Sequence, residues 1–199
     1  AEALGHVGDP SAAGPLTDAL DDPEPRVVRY AALALGELKA TKAIPRLVKL
    51  LTHREDDLRY AAVKALGKMD SARVVRYLKD RLKDPDYVVR FSAAQGLGQV
   101  GGRTAAQAVA TALKKDEEWS VRFHAAAALG RIGQKSSVPA LAKALNDPDH
   151  RVRRNVVEAL AKIGGRNAMK ALEKALNDEN EQVRTLAQEA IAQLSKKKA

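Results

Sequence analysis

The sequence contains no cysteine and few aromatic residues, with four tyrosines, two phenylalanines and one tryptophan among 199 residues. Without cysteine the chain can form no disulfide, no thiol nucleophile and no thiolate metal site. This absence is typical of a reducing compartment, so we expect a cytoplasmic protein. No apolar run approaches the roughly 20 residues that a membrane span needs. We therefore expect neither a membrane span nor a signal peptide.

Arrangements of residues that carry catalysis are also missing. No serine is framed as a nucleophile. No glycine-rich phosphate loop is present, because Gly101-Gly102 and Gly164-Gly165 fit helix ends instead. The histidines are scattered without metal-ligand spacing, as His6, His53, His124 and His150. We therefore expect no metal site, no cofactor and no catalytic centre, and we favour a non-catalytic protein.

What the chain does have is a repeat. A Leu-Gly pair, or its near equivalent, recurs every 31 residues, with one step of 32 caused by an extra residue near Lys114-Lys115. The pairs are Leu4-Gly5, Leu35-Gly36, Leu66-Gly67, Leu97-Gly98, Leu129-Gly130, Leu160-Ala161 and Ile191-Ala192. Periods of this size indicate stacked supersecondary units. The sequence predicts one array over residues 1–199, with a remnant helix at 1–8, repeats near 9–39, 40–70, 71–101, 102–133, 134–164 and 165–195, and a basic tail at 196–199.

Apolar spacing within each repeat predicts two helices. In the fifth repeat Val138, Leu141 and Leu145 share a face of a first helix, and the spacing from Val152 to Ile163 marks a second. First helices are expected near 10–20, 42–52, 72–82, 104–114, 136–146 and 167–177, and second helices near 24–37, 56–69, 86–100, 118–132, 149–163 and 180–195. The predicted caps of the first helices are Thr41, Ser71, Thr104, Ser136 and Asn167. The predicted fold is all-α, a right-handed α-solenoid of six helical hairpins with a partial leading helix.

Four of the six turns between the two helices of a repeat carry an aspartate followed six positions later by arginine. The aspartate can accept from the open N–H groups of the second helix, and an arginine reaching back along the stack can bridge adjacent turns. This predicts a structural ladder of Asp22, Asp84, Asp116, Asp147, Asp178, Arg59, Arg90, Arg122, Arg153 and Arg184. His53 and Val28 interrupt the pattern, so we expect the turns there to be held less firmly.

The order of these residues resembles HEAT repeats: an aspartate in the turn, then Val-Arg, then Ala-Ala-x-Ala-Leu-Gly. The short period is similar to that of the PBS-lyase HEAT-like subclass, named after phycobilisome lyases. The resemblance implies stacked helix pairs whose second helices line a concave face. Deoxyhypusine hydroxylases, a related enzyme type, bind iron through His-Glu dipeptides, and this chain has no such dipeptide.

Most of the aromatic residues fall on the predicted second helices. Phe91 and Phe123 directly follow the arginine position, and Tyr87 and Trp119 lie one helical turn before it. Val, Ala and Leu already supply the core stripe of these helices, so the aromatic rings either pack against the neighbouring helix or form a binding groove. We favour a partner-binding groove, since aromatic residues with arginine dominate interface energetics. Its predicted residues are Tyr30, Tyr60, Tyr87, Phe91, Trp119, Phe123, His124, Arg29, Lys64, Arg151 and Arg154.

Charge is unevenly distributed along the chain. The formal net charge is +9, yet residues 1–22 contain aspartate and glutamate without any lysine or arginine. The positive remainder indicates a partner with an acidic surface or a polyanion. We favour a scaffold that binds an acidic, partly apolar segment of another protein. A phycobilin lyase or phycobilisome-associated protein is implied by the resemblance alone, and a nucleic-acid-binding repeat protein ranks last because acidic residues interrupt the basic ones.

Residues 1–8 match only the end of a second helix. Leu4 and Val7 would then lack an upstream neighbour to cover them. Exposed apolar surface of this kind favours association. The sequence therefore predicts weak end-to-end self-association through the N-terminal face.

Overall fold

The computed structural model describes residues 9–69 and 71–196. The predicted leading helix at 1–8, with Leu4 and Val7, lies outside the described residues, as do Lys197 and Lys198 of the predicted tail. The chain forms two compact units, Ala1–Val100 and Gly101–Ala199.

The first unit contains three helical hairpins. Their α-helices are α1 (Ala13–Asp18), α2 (Pro25–Glu37), α3 (Ile44–Leu50), α4 (Asp56–Lys68), α5 (Val75–Arg81) and α6 (Tyr87–Val100). Short 3-10 turns flank α1 at Pro10–Ala12 and Ala19–Asp21, and others precede α3 and α5 at Thr41–Ala43 and Ala72–Val74. The even-numbered helices are the second helices of their hairpins.

The second unit repeats this pattern with three more hairpins. Its helices are α7 (Arg103–Lys115), α8 (Trp119–Ile132), α9 (Val138–Ala144), α10 (His150–Ile163), α11 (Arg166–Ala175) and α12 (Glu181–Lys196), with a 3-10 turn at Lys135–Ser137 before α9. Within residues 9–69 and 71–196 there is no β-strand. The prediction of an all-α fold built from helical hairpins is confirmed.

The predicted caps of the first helices are wrong. No side chain among Thr41, Ser71, Thr104, Ser136 and Asn167 makes a capping hydrogen bond to its helix. In three hairpins the first N–H groups of the helix donate to backbone carbonyls within a 3-10 turn instead. For example, the N–H of Ala43 donates to the Ala40 carbonyl at 2.9 Å. The other two, α7 and α11, begin directly after Gly102 and Gly165, whose φ angles are 89° and 87°.

The core is a stripe of valine, alanine and leucine along the second helices. In α8 it consists of Val121, Ala125 and Leu129, each fully buried. The same positions are fully buried in α6 and α10, so the repeat in the sequence is a repeat of core positions. Burial of such side chains contributes about 1.5–3 kcal/mol each for valine and leucine, which makes this stripe the main source of stability.

Glycine lets consecutive second helices approach closely. A Cβ atom on Gly67 of α4 would lie only 2.7 Å from the Cα of Gly96 on α6. In the second unit, a Cβ atom on Gly130 of α8 would lie 2.8 Å from the Cα of Ala159 on α10. Real Cβ atoms do not come this close to backbone carbon, so Gly67 and Gly130 of the Leu-Gly pairs set the spacing of these helices.

Candidate functional site

Arginine and aspartate connect successive turns inside each unit. Arg59 donates from Nη1 to the carbonyls of His53 and Arg54 in its own turn, at 2.9 and 3.0 Å. Its Nε and Nη2 donate to the Asp84 carboxylate of the next turn, at 3.0 and 2.9 Å. One guanidinium therefore closes one turn and ties it to the following turn.

The second unit contains two pairs of the same kind. Arg122 donates to Asp147 at 2.7 Å, and Arg153 donates to Asp178 at 2.8 Å. In each pair the aspartate lies 25 residues after the arginine. The arginine thus reaches forward to the following repeat, and the expectation that it reaches back is wrong. Arg90 and Arg184 make the same bonds to the carbonyls of their own turns.

Hydrogen bonding to carboxylate stabilises the charged form of these arginines. The hydrogen bonds that Arg59 donates to Asp84 raise the pKa of Arg59 above its usual value, and burial opposes this only in part. Asp147 and Asp178 raise the pKa of Arg122 and Arg153 in the same way. The paired side chains are at most 12% exposed. These are buried, geometrically specific ion pairs, which fits a structural role.

The aspartates do not cap the second helices as expected. Each accepts the N–H of the residue two positions later, as Asp147 accepts from Asp149 at 3.0 Å. Asp22, Asp84, Asp116 and Asp178 do the same. In α10 the helix is capped by the residue two positions further on, because Asp149 accepts from the N–H of Arg151 at 2.8 Å. The ladder aspartate therefore shapes the turn and leaves the helix end to its neighbour.

The two interruptions of the ladder belong to a single missing pair. Val28 and His53 are separated by the same 25 residues that separate Arg59 from Asp84. His53 still performs the turn-shaping role, since its Nδ1 accepts the N–H of Glu55 at 3.1 Å. What is lost is only the charge pair between repeats. Losing both partners together avoids leaving one of them buried and unpaired.

Restoring this pair gives the first prediction. We expect Val28→Arg alone to destabilise the first unit, because it places a cation at a buried position whose partner position holds His53 instead of an aspartate. Adding His53→Asp should supply that carboxylate, with a coupling energy of about 1–3 kcal/mol in a double-mutant cycle measured by urea unfolding. Val28→Arg with His53→Asn is the matched control. Equal stability of the two double variants would show that no pair forms.

Aromatic side chains lie on the second helices of the first unit, outside the core stripe. Tyr30 on α2, Tyr60 on α4 and Phe91 on α6 are half-buried, and Tyr87 is 46% exposed. The rings of Tyr87 and Phe91 lie 6.5 Å apart. Arg29 places its Cζ 5.0 Å from the centre of the Tyr30 ring. Arg29 also lies near Asp57 of the next second helix, with Nη1 3.7 Å from Oδ2.

The second unit carries a denser group of aromatic residues. Trp119 is 36% exposed, and its ring lies 6.4 Å from Phe123 in an edge-to-face arrangement. Phe123 in turn contacts His124 at 5.2 Å. Arg151 of α10 places its Cζ 3.5 Å from the centre of the Trp119 ring. Aromatic and guanidinium groups thus form one continuous, partly exposed patch.

Two neighbours that the sequence did not single out hold this patch in place. Asp149 binds Arg151 with both carboxylate oxygens, at 3.0 and 2.6 Å. These hydrogen bonds lower the pKa of Asp149 to about 2. Asn155 of α10 donates from Nδ2 to the Phe123 carbonyl of α8 at 2.7 Å. Asn155 is buried, and a polar residue at a buried helix position was the available signal.

The remaining predicted groove residues are basic. Lys64 lies on α4 one helical turn after Tyr60 and is half-buried. Arg154 on α10 is exposed and makes no ion pair with a described residue.

Among residues 9–69 and 71–196, no cluster of histidine and carboxylate side chains could hold a metal ion. No helix in the described part of the chain is long and apolar enough to cross a membrane.

The family model for HEAT repeats matches the chain over residues 1–62, 44–117 and 106–192. The chain belongs to the HEAT repeat family. The resemblance seen in the Asp, Val-Arg and Leu-Gly pattern is therefore confirmed. No curated protein matches the sequence.

Several solved structures share the HEAT-type fold. An engineered protein is 24% identical with a TM-score of 0.65, and the match covers 92% of this chain and 96% of that one. The complex of CpcE and CpcF of phycocyanin lyase from Nostoc sp. PCC7120 is 24% identical with a TM-score of 0.69, covering 92% and 76%. A designed armadillo repeat protein in complex with the peptide (KR)4 is 22% identical with a TM-score of 0.66, covering 90% and 98%. At these identities the likeness concerns the fold alone.

Proposed function

We propose that this HEAT repeat protein is a non-catalytic scaffold whose second helices bind an acidic, partly apolar segment of another protein. The HEAT fold is consistent with a protein-interaction scaffold. The observation that carries the proposal is the Trp119 patch, in which the guanidinium of Arg151 stacks on an indole ring that is still partly exposed. Exposed tryptophan and arginine at one place are the residue types that supply most of the binding energy at protein interfaces.

The side chains of the Trp119 patch are preorganised for binding. Asp149 fixes Arg151, and Asn155 joins α8 to α10 directly beneath Phe123. Side chains that are already ordered lose little conformational entropy on binding. Trp119 and Phe123 therefore present partly exposed aromatic rings that a partner can cover at low entropic cost.

Basic side chains beside the aromatic rings support an acidic partner. Arg154 is exposed without an ion pair among the described residues, and Lys64 adjoins Tyr60 on α4. Arg29 and Arg151 are near acidic residues of this chain, and so contribute less net charge. Opposite charge at such positions sets the rate and specificity of association more than its affinity.

Selection from a random-peptide display library on the folded chain tests this function. Enriched peptides should combine acidic with aromatic or aliphatic residues. We expect Trp119→Ala with Phe123→Ala to weaken their binding by several hundred-fold, because the loss of about 2 kcal/mol per anchor corresponds to roughly 30-fold for each ring. The melting temperature should change little, because neither ring lies in the core stripe.

The matched control for this experiment is Tyr77→Ala. Tyr77 lies on the first helix α5, and the Cζ of Arg76 lies 4.5 Å from the centre of its ring. The substitution therefore removes a similar arginine–aromatic pair at another place in the chain. Its peptide binding should equal that of the unchanged chain. Unfolding of the Trp119 and Phe123 variant, with undiminished binding by the remaining folded fraction, would contradict the proposal. Enrichment of basic peptides, or tight binding of an oligonucleotide at physiological salt, would also contradict it.

A further inference from the structure

A small cavity lies between the second helices α4 and α6 of the first unit. Lys64 and Lys68 line it from α4, and Ser92, Gln95 and Gln99 line it from α6. Its volume of about 10 Å³ is that of one water-sized atom. Gly67 and Gly96, whose backbones approach closely, also line it.

The hydroxyl of Ser92 has no hydrogen-bond partner at this cavity. Ser92 is only 1% exposed, and its Oγ makes no hydrogen bond to any described residue. A serine within a helix ordinarily donates to the carbonyl one turn earlier, as Ser195 does to Ile191 at 2.9 Å. Leaving a buried hydroxyl unsatisfied costs about 1–3 kcal/mol. Ser92 is thus a buried hydroxyl that makes no hydrogen bond to a described residue.

Lys64 supplies a positive charge at the same cavity. Glu37, the acidic residue near it, is paired with Lys68. No hydrogen bond or ion pair joins Lys64 to a described residue, although its side chain is half-buried. Burial, followed by the positive charge of Lys68, lowers the pKa of Lys64 below its usual value. The surroundings of this ammonium therefore contain too little negative charge to balance it.

A negatively charged hydrogen-bond acceptor would satisfy both the Ser92 hydroxyl and the Lys64 ammonium. A carboxylate oxygen is about the size of a water molecule, accepts from a hydroxyl and pairs with an ammonium. Tyr60 lies one turn before Lys64 on α4, and Phe91 directly precedes Ser92 on α6. Tyr60 shares the helix face of Lys64, so a ligand bound at the Lys64 ammonium has an aromatic ring one helical turn away.

We propose that the Lys64–Ser92 cavity is a carboxylate subsite, which receives one carboxylate oxygen of an aspartate or glutamate side chain of the bound protein segment. The inference rests on the proposed function, and it specifies where the acidic residue of the partner binds. The partner segment then carries an acidic residue next to an apolar residue, which contacts Tyr60. Binding raises the pKa of Lys64 towards its usual value, because the carboxylate replaces the missing negative charge.

The first test uses 3-phenylpropionate as the probe and its uncharged amide, 3-phenylpropanamide, as the control ligand. Both are titrated into the full chain, and NMR follows the backbone amide of Ser92 and the Cε–Hε signal of Lys64. We expect the carboxylate to shift both signals and to raise the measured pKa of Lys64, and the amide to shift neither. Equal responses to the two compounds would overturn the subsite.

Two substitutions separate a binding role from a structural one. Lys64→Met should weaken the carboxylate probe at least tenfold, whereas Lys49→Met on the first helix α3 should leave its binding unchanged. Ser92→Ala should weaken the probe several-fold and yet raise the melting temperature, because it removes an unsatisfied buried hydroxyl. A purely structural Ser92 would lower stability when it is removed. Undiminished binding of the probe by both cavity variants would overturn the proposal.

Amidated peptides from the display selection, made with glutamate and with glutamine at the acidic position, complete the test. Lys64→Met should remove the preference for glutamate over glutamine. Trp119-dependent peptide binding that is indifferent to Lys64 and to this exchange would uphold the scaffold and overturn the subsite. Lys64-dependent binding of 3-phenylpropionate with no peptide selected would uphold the carboxylate chemistry and overturn the scaffold. If amidating the C-terminus of a glutamate peptide abolishes its binding, the cavity binds a C-terminal carboxylate, and the assignment to a side chain is overturned.

Discussion

Replacing Asp84 with alanine is expected to lower the free energy of unfolding by about 3–5 kcal/mol. The Asp84 side chain is only 1% exposed and accepts from Nε and Nη2 of Arg59. It also accepts the N–H of Asp86 at 3.1 Å. Its removal leaves the Arg59 guanidinium, itself 10% exposed, without its counter-charge. Urea unfolding followed by circular dichroism measures the loss.

Two further variants show whether the unpaired charge causes this loss. Asp80→Ala removes an exposed aspartate of the neighbouring helix α5 and should change stability by less than about 0.5 kcal/mol. Arg59→Met combined with Asp84→Leu removes both charges and should recover much of the stability lost by Asp84→Ala. A double variant that is no more stable than Asp84→Ala would attribute the effect to the shape of the turn instead.

Gly67→Val is expected to destabilise the first unit by about 3 kcal/mol, at the upper end for an overpacked contact. The new Cβ would lie 2.7 Å from the Cα of Gly96, and backbone on both sides leaves no flexible side chain to yield. Helices α4 and α6 must then separate, which weakens the burial of Leu66 and Leu97. Thermal and urea unfolding measure the change, with hydrogen exchange locating it in α4 and α6.

Gly14→Ala provides the matched control for the glycine contact. Gly14 also lies in a helix, α1, but a Cβ there would meet no atom within 4 Å. Alanine has the higher helix propensity, so this change should stabilise the protein by up to about 1 kcal/mol. Gly67→Ala gains the same propensity but should still be destabilising. If both alanine variants are stabilising, the helix spacing does not depend on Gly67.

Helix positions could be predicted because they depend on local spacing. The apolar period of a repeat identifies both of its helices, and α10 begins at His150 and ends at Ile163 within one residue of the expected range. The predicted side-chain caps were wrong because 3-10 turns and left-handed glycines satisfied the same N–H groups through the backbone. A sequence pattern identifies a possible cap but does not show which competing hydrogen bond forms.

The ladder shows the same limit at longer range. The sequence identified its aspartates and arginines, since they recur at a fixed distance from each turn. It did not show that Arg59 pairs with the following Asp84, or that Val28 and His53 are two halves of one missing pair. Which aspartate an arginine pairs with depends on how far its side chain extends between stacked turns. The spacing of residues within one repeat gives no information about that distance.

The sequence by itself determined the family, the all-α class and the placement of aromatic residues on second helices, because these follow from a period of 31 residues and from helical spacing within it. Only the tertiary structure decided which residues meet across helices. It placed Arg151 over Trp119, and it brought Lys64 of α4 to the same cavity as Ser92 of α6. Such contacts depend on the separation of neighbouring helices, which is set by the glycine contacts between their backbones and is not encoded in the spacing along either helix.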